Sequence, residues 1–310
     1  MKLYIGVEIG ATKQQIILMD ESGKIHNSIS ENVDIAGGAQ AILSWIKLRL
    51  PVVMASAEGS VKGIGVGFGG VVESATGRIL LSVQVRGWED IALKSWFEEQ
   101  FSLPTVIAND TVCGGFCEYK LGTGKGYDVF FYTNIGSGIG GALFIEGENY
   151  DGQGFGAAYF GNSYVPGLDS APARIESICS GWAIEQRLRT AGYVPKDSRL
   201  YEICGGNYQK LTCRDLNTAA ETGDSFANAE IELVAKYFGI GLGNFMTYLH
   251  PQRVSIGGGV AHLGRKLFDP MTRYAQEYAF GPCKKGFDIV QCQYTEMAVP
   301  MGAALMAIKN

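Results

Sequence analysis

The sequence has 310 residues, 46% hydrophobic and 18% charged, which suits one large or two medium domains with a sizeable core. Its 43 glycines, roughly twice the usual share of about 7%, follow no three-residue repeat, so collagen is excluded. A formal net charge of -5 argues against nucleic acid and anionic membrane as partners, and no apolar run is long enough to span a bilayer.

Met1 leads directly into a strand-like segment without a signal-peptide pattern, which predicts a cytoplasmic protein. β-rich runs at 3–7 and 15–19, separated by the turn of Gly10, Ala11 and Thr12, predict a β-hairpin. A helix follows over 38–50, ended by Pro51. Residues 63–70 read as an apolar strand whose glycines admit a backbone or ligand. A helix over 88–101, closed by Pro104, precedes a short buried strand at 106–108. That strand leads into Asn109 and Asp110, and the chain then turns helical through Cys117 and Tyr119.

A second hairpin, 129–133 and 142–145 around a glycine turn at 136–141, repeats the layout of the first and suggests two related halves. A long helix over 223–249, a strand over 254–256 entering Gly257, Gly258 and Gly259, and a small-residue helix over 300–308 complete an α/β pattern. The seven cysteines form no CxC or CxxC pair, and only three histidines accompany them. Reduced thiols are expected, with no zinc cage. Cys113 and Cys117 share one helical face and read as packing.

Three glycine turns follow strands, and their backbone N–H groups can hold phosphate oxygens. Any one alone is an ordinary tight turn; three together point to a nucleotide. G-x-G-x-x-G occurs at Gly65, Gly67 and Gly70, and again at Gly136, Gly138 and Gly141. Extended chain rather than a helix follows each, so a dinucleotide fold is set aside. No P-loop motif is present. With histidine this scarce, Asp110 at the end of a buried strand is the candidate general base. It is equally an N-cap candidate for the helix after it, and the two roles can coexist. Glu8, beside the first glycine turn, suits Mg²⁺ binding, directly or through water.

Five segments in order resemble the ROK family of sugar kinases within the actin–hexokinase–Hsp70 superfamily: GVEIGATKQQIILMD (6–20), VIANDTVCGGFCEY (106–119), TNIGSGIGGALF (133–144), VSIGGGVA (254–261) and PMGAALMA (300–307). The resemblance spans nearly the whole chain. It implies an actin-like ATPase (ribonuclease H-like) fold of two α/β domains with a cleft, residues 1–111 plus about 296–310 and residues 112–295. It also implies ATP and Mg²⁺, a small-molecule sugar and a homodimer. By residue, Asp110 is the implied base, and Asn109, Glu176, Asn162, Tyr159, Gln84 and Gly70 are sugar contacts. Gly10, Ala11, Thr12, Lys13, Gly136, Ser137 and Gly138 hold phosphates, Gly257, Gly258 and Gly259 approach the nucleoside, and Glu8 assists the metal.

Four departures stand out. Glu8 replaces the family's Asp, Ala11 replaces a Gly, and GFGAAYFGNSYV (154–165) places Tyr159 and Asn162 where a Glu and a His are usual. The Cys-rich zinc motif is missing, although Glu176, Ser180 and Gly181 continue the match beyond it. Zinc braces the sugar loop in relatives, so Tyr159, Phe160 and Tyr164 are expected to hold Glu176 here. The expected activity is transfer of the ATP γ-phosphate to O6 of a hexose or N-acetylhexosamine, leaning to N-acetylmannosamine and next to glucose. The alternatives are an inactive sugar- or nucleotide-binding relative and a sugar-responsive repressor. The repressor needs an N-terminal winged-helix module, and here the first strand begins at Leu3.

Overall fold

The computed structural model describes residues 1–82 and 84–309. The chain opens as an antiparallel meander, β1 (Lys2–Ile9), β2 (Lys13–Asp20) and β3 (Ile25–Asn32). Helix α1 (Gly38–Ala55), strand β4 (Ser60–Phe68) and a small hairpin of β5 (Val71–Glu73) and β6 (Arg78–Leu81) follow. Then come α2 (Leu93–Phe101), β7 (Thr105–Asn109) and α3 (Asp110–Leu121). The first sheet is ordered β3-β2-β1-β4-β7, with β4 parallel to both β1 and β7.

Strands β8 (Val129–Asn134), β9 (Gly141–Ile145) and β10 (Glu148–Asn149) are followed by the pair β11 (Tyr164–Pro166) and β12 (Pro172–Arg174). Helices α4 (Ile175–Cys179), α5 (Gly181–Arg189), α6 (Arg199–Ile203), α7 (Cys213–Glu221) and α8 (Ser225–Leu249) come next. Strand β13 (Arg253–Gly257), α9 (Arg265–Tyr278), β14 (Asp288–Gln291) and α10 (Ala298–Lys309) finish the chain. The second sheet, β10-β9-β8-β13-β14, has the same layout as the first: a three-strand meander with two later strands added beside its first strand. The repetition expected from the two hairpins is thus present in strand order. No helix among the described residues is long and apolar enough to cross a membrane.

Contacts divide the chain into two compact units, Met1–Tyr132 with Ala142–Ala158 and Gln293–Asn310, and Thr133–Gly141 with Tyr159–Cys292. Helix α3 therefore groups with the first unit, whereas the sequence reading opens the second domain at residue 112. Period-two alternation gives the first sheet two apolar faces. Leu3, Ile5 and Val7 pack on one side with Ile42, Ile46 and Phe97 from α1 and α2. Tyr4, Ile17 and Met19 pack on the other with Cys117 of α3 and Met301 and Ala304 of α10. Cys113 and Cys117 are both buried, as one apolar face of α3 requires.

Two predicted boundaries move. Helix α1 runs to Ala55 with Pro51 inside it, because buried Leu50 and Val53 keep the same face in the core and a proline forfeits only one N–H bond. Helix α2 begins at Leu93 rather than 88, because Trp88 is committed to the core edge-on against Phe68, ring centroids 4.8 Å apart.

Besides these side-chain contacts, helix α10 meets bare backbone at three glycines. A Cβ on Gly6 would overlap the Pro300 carbonyl, one on Gly65 the Ala303 carbonyl, and one on Gly302 the Cys113 carbonyl. Gly65→Ala is accordingly expected to destabilise the protein by more than about 3 kcal/mol in urea melts, since backbone cannot move aside as a side-chain tip can. Gly281, whose Cβ would meet open space, is the control and should change stability by less than about 0.5 kcal/mol when replaced by Ala.

Candidate active site

Strands β1, β4 and β7 end level with one another: Ile9 is opposite Phe68, and Phe68 is opposite Asn109. Their carboxyl ends therefore deliver Glu8, Gly69 and Asp110 to one edge of the first sheet, where open α/β sheets place their ligands. Asn109, not Asp110, caps α3. Its backbone is extended, and its Oδ1 accepts from the amides of Thr111 (2.9 Å) and Val112 (3.3 Å). Its Nδ2 donates to the Gly70 carbonyl at 3.0 Å, which fixes the turn after β4. Relieved of capping, Asp110 becomes the first helical residue.

Asp110 is half-buried, and Thr111 donates to its Oδ1 through N (2.7 Å) and Oγ1 (3.3 Å). Its Oδ2 faces Gly69, where a Cβ would stand 3.4 Å from it and 2.9 Å from Gln84 Oε1. Any side chain at Gly69 would fill the space between the carboxylate and Gln84, a requirement that sequence reading missed. Desolvation raises the Asp110 pKa to about 6 against the pull of the Thr111 and Asn109 hydrogen bonds. A carboxylate poised near neutrality, still open on one side, is suited to taking a proton.

Glu8 lies beside the hairpin turn in which Gly10 N donates to Lys13 O at 3.1 Å. Its Oε2 is buried without a hydrogen-bond partner. Burial, opposed by Lys13 and helped by Asp110 and Glu296, raises its pKa to about 7. Lys13 is also paired with Glu296 at 3.7 Å, another neighbour not foreseen from sequence. An unsatisfied buried carboxylate oxygen close to a second carboxylate is a donor set that fits a hard divalent cation such as Mg²⁺. Ala11 and Thr12 form the tip of the turn, with Thr12 exposed. Among the described residues no three His, Cys, Asp or Glu side chains form a metal cage.

The second unit gathers the remaining glycines. Ile135 N donates to Gly257 O (2.9 Å), and Val260 N donates to Ile135 O (3.0 Å). These bonds lay the 136–138 loop on the 257–259 bend. Gly258 has φ +86°, and a Cβ there would stand 2.5 Å from the Ile135 carbonyl, so glycine is required. Above Gly259 a Cβ would meet nothing, and above Gly136 nothing nearer than 3.8 Å, which leaves room for a ligand. Side chains missed by the sequence reading shape this loop: Thr133 Oγ1 donates to Gly140 O (2.6 Å), and Asn134 Oδ1 accepts from Gly140 N (2.7 Å).

Glu176 meets the same loop. Its Oε2 accepts from Ile139 N at 2.8 Å, and a Cβ on Gly138 would lie 2.7 Å from that oxygen. The amides of Gly181 and Trp182 at the start of α5 donate to the carbonyls of Gly136 (2.8 Å) and Ser137 (3.3 Å). Tyr159 precedes the single turn at Phe160–Asn162 and Asn162 ends it, and both are exposed. Of the aromatic residues expected to brace Glu176, Phe160 packs on Phe238, with ring centroids 5.0 Å apart, and lies with Ile175 of α4 against Gly241, whereas Tyr164 is exposed.

The ROK family model matches residues 4–310. The chain belongs to the ROK family. Similar proteins include a glucokinase from Halalkalibacterium halodurans, 27% identical over 89% of this chain and 86% of that one. A beta-glucoside kinase from Klebsiella pneumoniae is 27% identical over 82% of this chain and 80% of its own. Among solved structures, a ROK family glucokinase from Streptomyces griseus in complex with glucose and AMPPNP superposes with a TM-score of 0.85, at 26% identity, over 99% of this chain and all of that one. The fold is the actin-like ATPase fold of ROK sugar kinases.

Because the folded Asp110 pKa of about 6 lies above its unfolded 3.8, the native state prefers the protonated form. This contribution to stability is complete below pH 3.8 and is lost as pH rises through about 6. Asp110→Asn is therefore expected to melt higher than the parent above pH 6, by the equivalent of roughly 1–3 kcal/mol, with the gap closing towards pH 4. Thermal melts of the two proteins across that range check it.

Proposed function

We propose that this ROK protein is an ATP-dependent sugar kinase acting on O6 of a hexose or N-acetylhexosamine, with Asp110 as general base. The observation that carries this reading is the desolvated Asp110 carboxylate, freed from capping by Asn109 and facing the bare backbone of Gly69. Family membership and the kinase relatives support phosphoryl transfer to a sugar as the general activity.

In this reading Asp110 Oδ2 accepts the proton of the attacking hydroxyl. Gln84, Asn109, Gly70, Glu176, Asn162 and Tyr159 orient the sugar. Gly10, Ala11, Thr12 and Lys13 hold phosphate oxygens, as do Gly136, Ser137 and Gly138, while Gly257, Gly258 and Gly259 lie against the nucleoside. Glu8 would hold Mg²⁺, which neutralises triphosphate charge when bound. Phosphoryl transfer asks chiefly for such positioning and charge neutralisation. The altered 154–165 stretch favours N-acetylmannosamine as the sugar, and the glucokinase relatives favour glucose as the second reading. A cytoplasmic, homodimeric enzyme belongs to the same proposal and rests on the family resemblance.

ADP release measured across a panel of hexoses and acylated amino sugars tests the function, and no turnover with any of them would leave an inactive binding protein instead. With the substrate found, Asp110→Asn should lower kcat by about 10²–10⁴ while ATP binding, read by calorimetry, survives. Near-normal turnover would remove Asp110 from the role. Glu8→Asp should remain active and change the Mg²⁺ concentration that gives half-maximal rate. The same substitution should alter Mg²⁺ binding followed by titration of the protein with the metal alone.

A further inference from the structure

Glu176 is carried by α4, only five residues long, and a helix this short does not hold its own shape in water. Its last carbonyls need outside donors. Arg187 of α5 supplies one: its Nη1 donates to the Ile178 carbonyl at 2.6 Å. The guanidinium is itself anchored by Glu230 of α8, with Nε to Oε1 at 2.8 Å and Nη2 to Oε1 at 2.5 Å. The Glu230 side chain is 2% exposed, and its other oxygen accepts from Tyr193 Oη at 2.6 Å. A rigid planar fork thus ties the end of α4 to the longest helix of the second unit. At the other side of the same short helix, Glu176 Oε2 holds the Ile139 amide. Among the described residues Glu176 Oε1 accepts no hydrogen bond.

We propose that Arg187, anchored by Glu230 and Tyr193, is a positioning residue that holds α4 so that one Glu176 oxygen fixes the glycine loop while the other is presented to the sugar. This rests on the reading of Glu176 as a sugar contact. An ordinary buried ion pair would stabilise the unit without selecting for the Glu176 geometry. Lysine in place of Arg187 keeps the charge beside Glu230, but its single ammonium cannot reproduce the fork that also reaches Ile178.

The test is Arg187→Lys, alone and combined with Glu176→Ala, with Glu230→Gln as a second, gentler variant of the anchor. Arg187→Lys should speed hydrogen exchange at the Ile139 amide about tenfold, with exchange in α8 unchanged. In the active protein it should raise the sugar KM about tenfold with kcat little altered, and add nothing further on the Glu176→Ala background, as coupled sites do. Glu230→Gln should shift both readouts the same way by less. Unchanged exchange at Ile139, or effects of the two substitutions that multiply independently, would overturn the proposal. If no sugar were phosphorylated by the parent protein, the kinase reading would fail, and exchange at Ile139 would still decide whether Arg187 sets the Glu176 contact.

Discussion

The seat of α10 is the constraint on which the first unit depends. Pro300 and Ala303 lay their carbonyls over the bare backbones of Gly6 and Gly65, while Gly302 admits the Cys113 carbonyl of α3 from the opposite side. One helix is thereby clamped between two adjacent strands and another helix, backbone to backbone at these three points. Glu118, fully buried at the far end of α3, accepts from Tyr294 N ahead of α10 at 2.5 Å and from Thr123 N just after α3 at 3.0 Å. Because Asp110 opens α3, the distance from helix to sheet also sets where the carboxylate stands. A methyl group at any of the three glycines would force helix and backbone apart.

Much of this was legible in the residues, for identifiable reasons. Alternating apolar positions and a short polar turn mark β1 and β2, and the position of Asp110 follows from its place at the end of a buried strand. The assignment of the cap was not legible, since Asn109 and Asp110 are adjacent and either type can cap; the extended backbone at Asn109 decides it. Strand β3, IHNSISEN, escaped notice because it is a largely polar edge strand exposed on alternate residues. The clamp on the second glycine loop was hidden for another reason. Glu176 and Ile139 are 37 residues apart, as are Tyr193 and Glu230, and no local pattern announces a pairing at that separation. Family resemblance implied Glu176 as a sugar contact, with Tyr159, Phe160 and Tyr164 expected to hold it, and gave no sign of Arg187.

The buried carboxylates of the chain divide into two kinds, and the division separates scaffold from chemistry. Glu118 and Glu230 are almost wholly removed from solvent, and both oxygens of each are met by donors. Their charges are compensated in place, so they can fix helices without demanding anything from solution. Glu8 and Asp110 are treated differently: Glu8 keeps an orphaned buried oxygen, Asp110 Oδ2 lies over the bare backbone of Gly69, and both have raised pKa values through desolvation. Neighbouring desolvated carboxylates destabilise the native state at neutral pH. A chain that elsewhere satisfies its buried acids so thoroughly has the means to satisfy these as well. The deficit sits at the carboxyl ends of β1 and β7, where a cation and a proton donor from a ligand would relieve it. Perturbed carboxylates of this kind cluster at functional sites, which marks this end of the sheet as the candidate site.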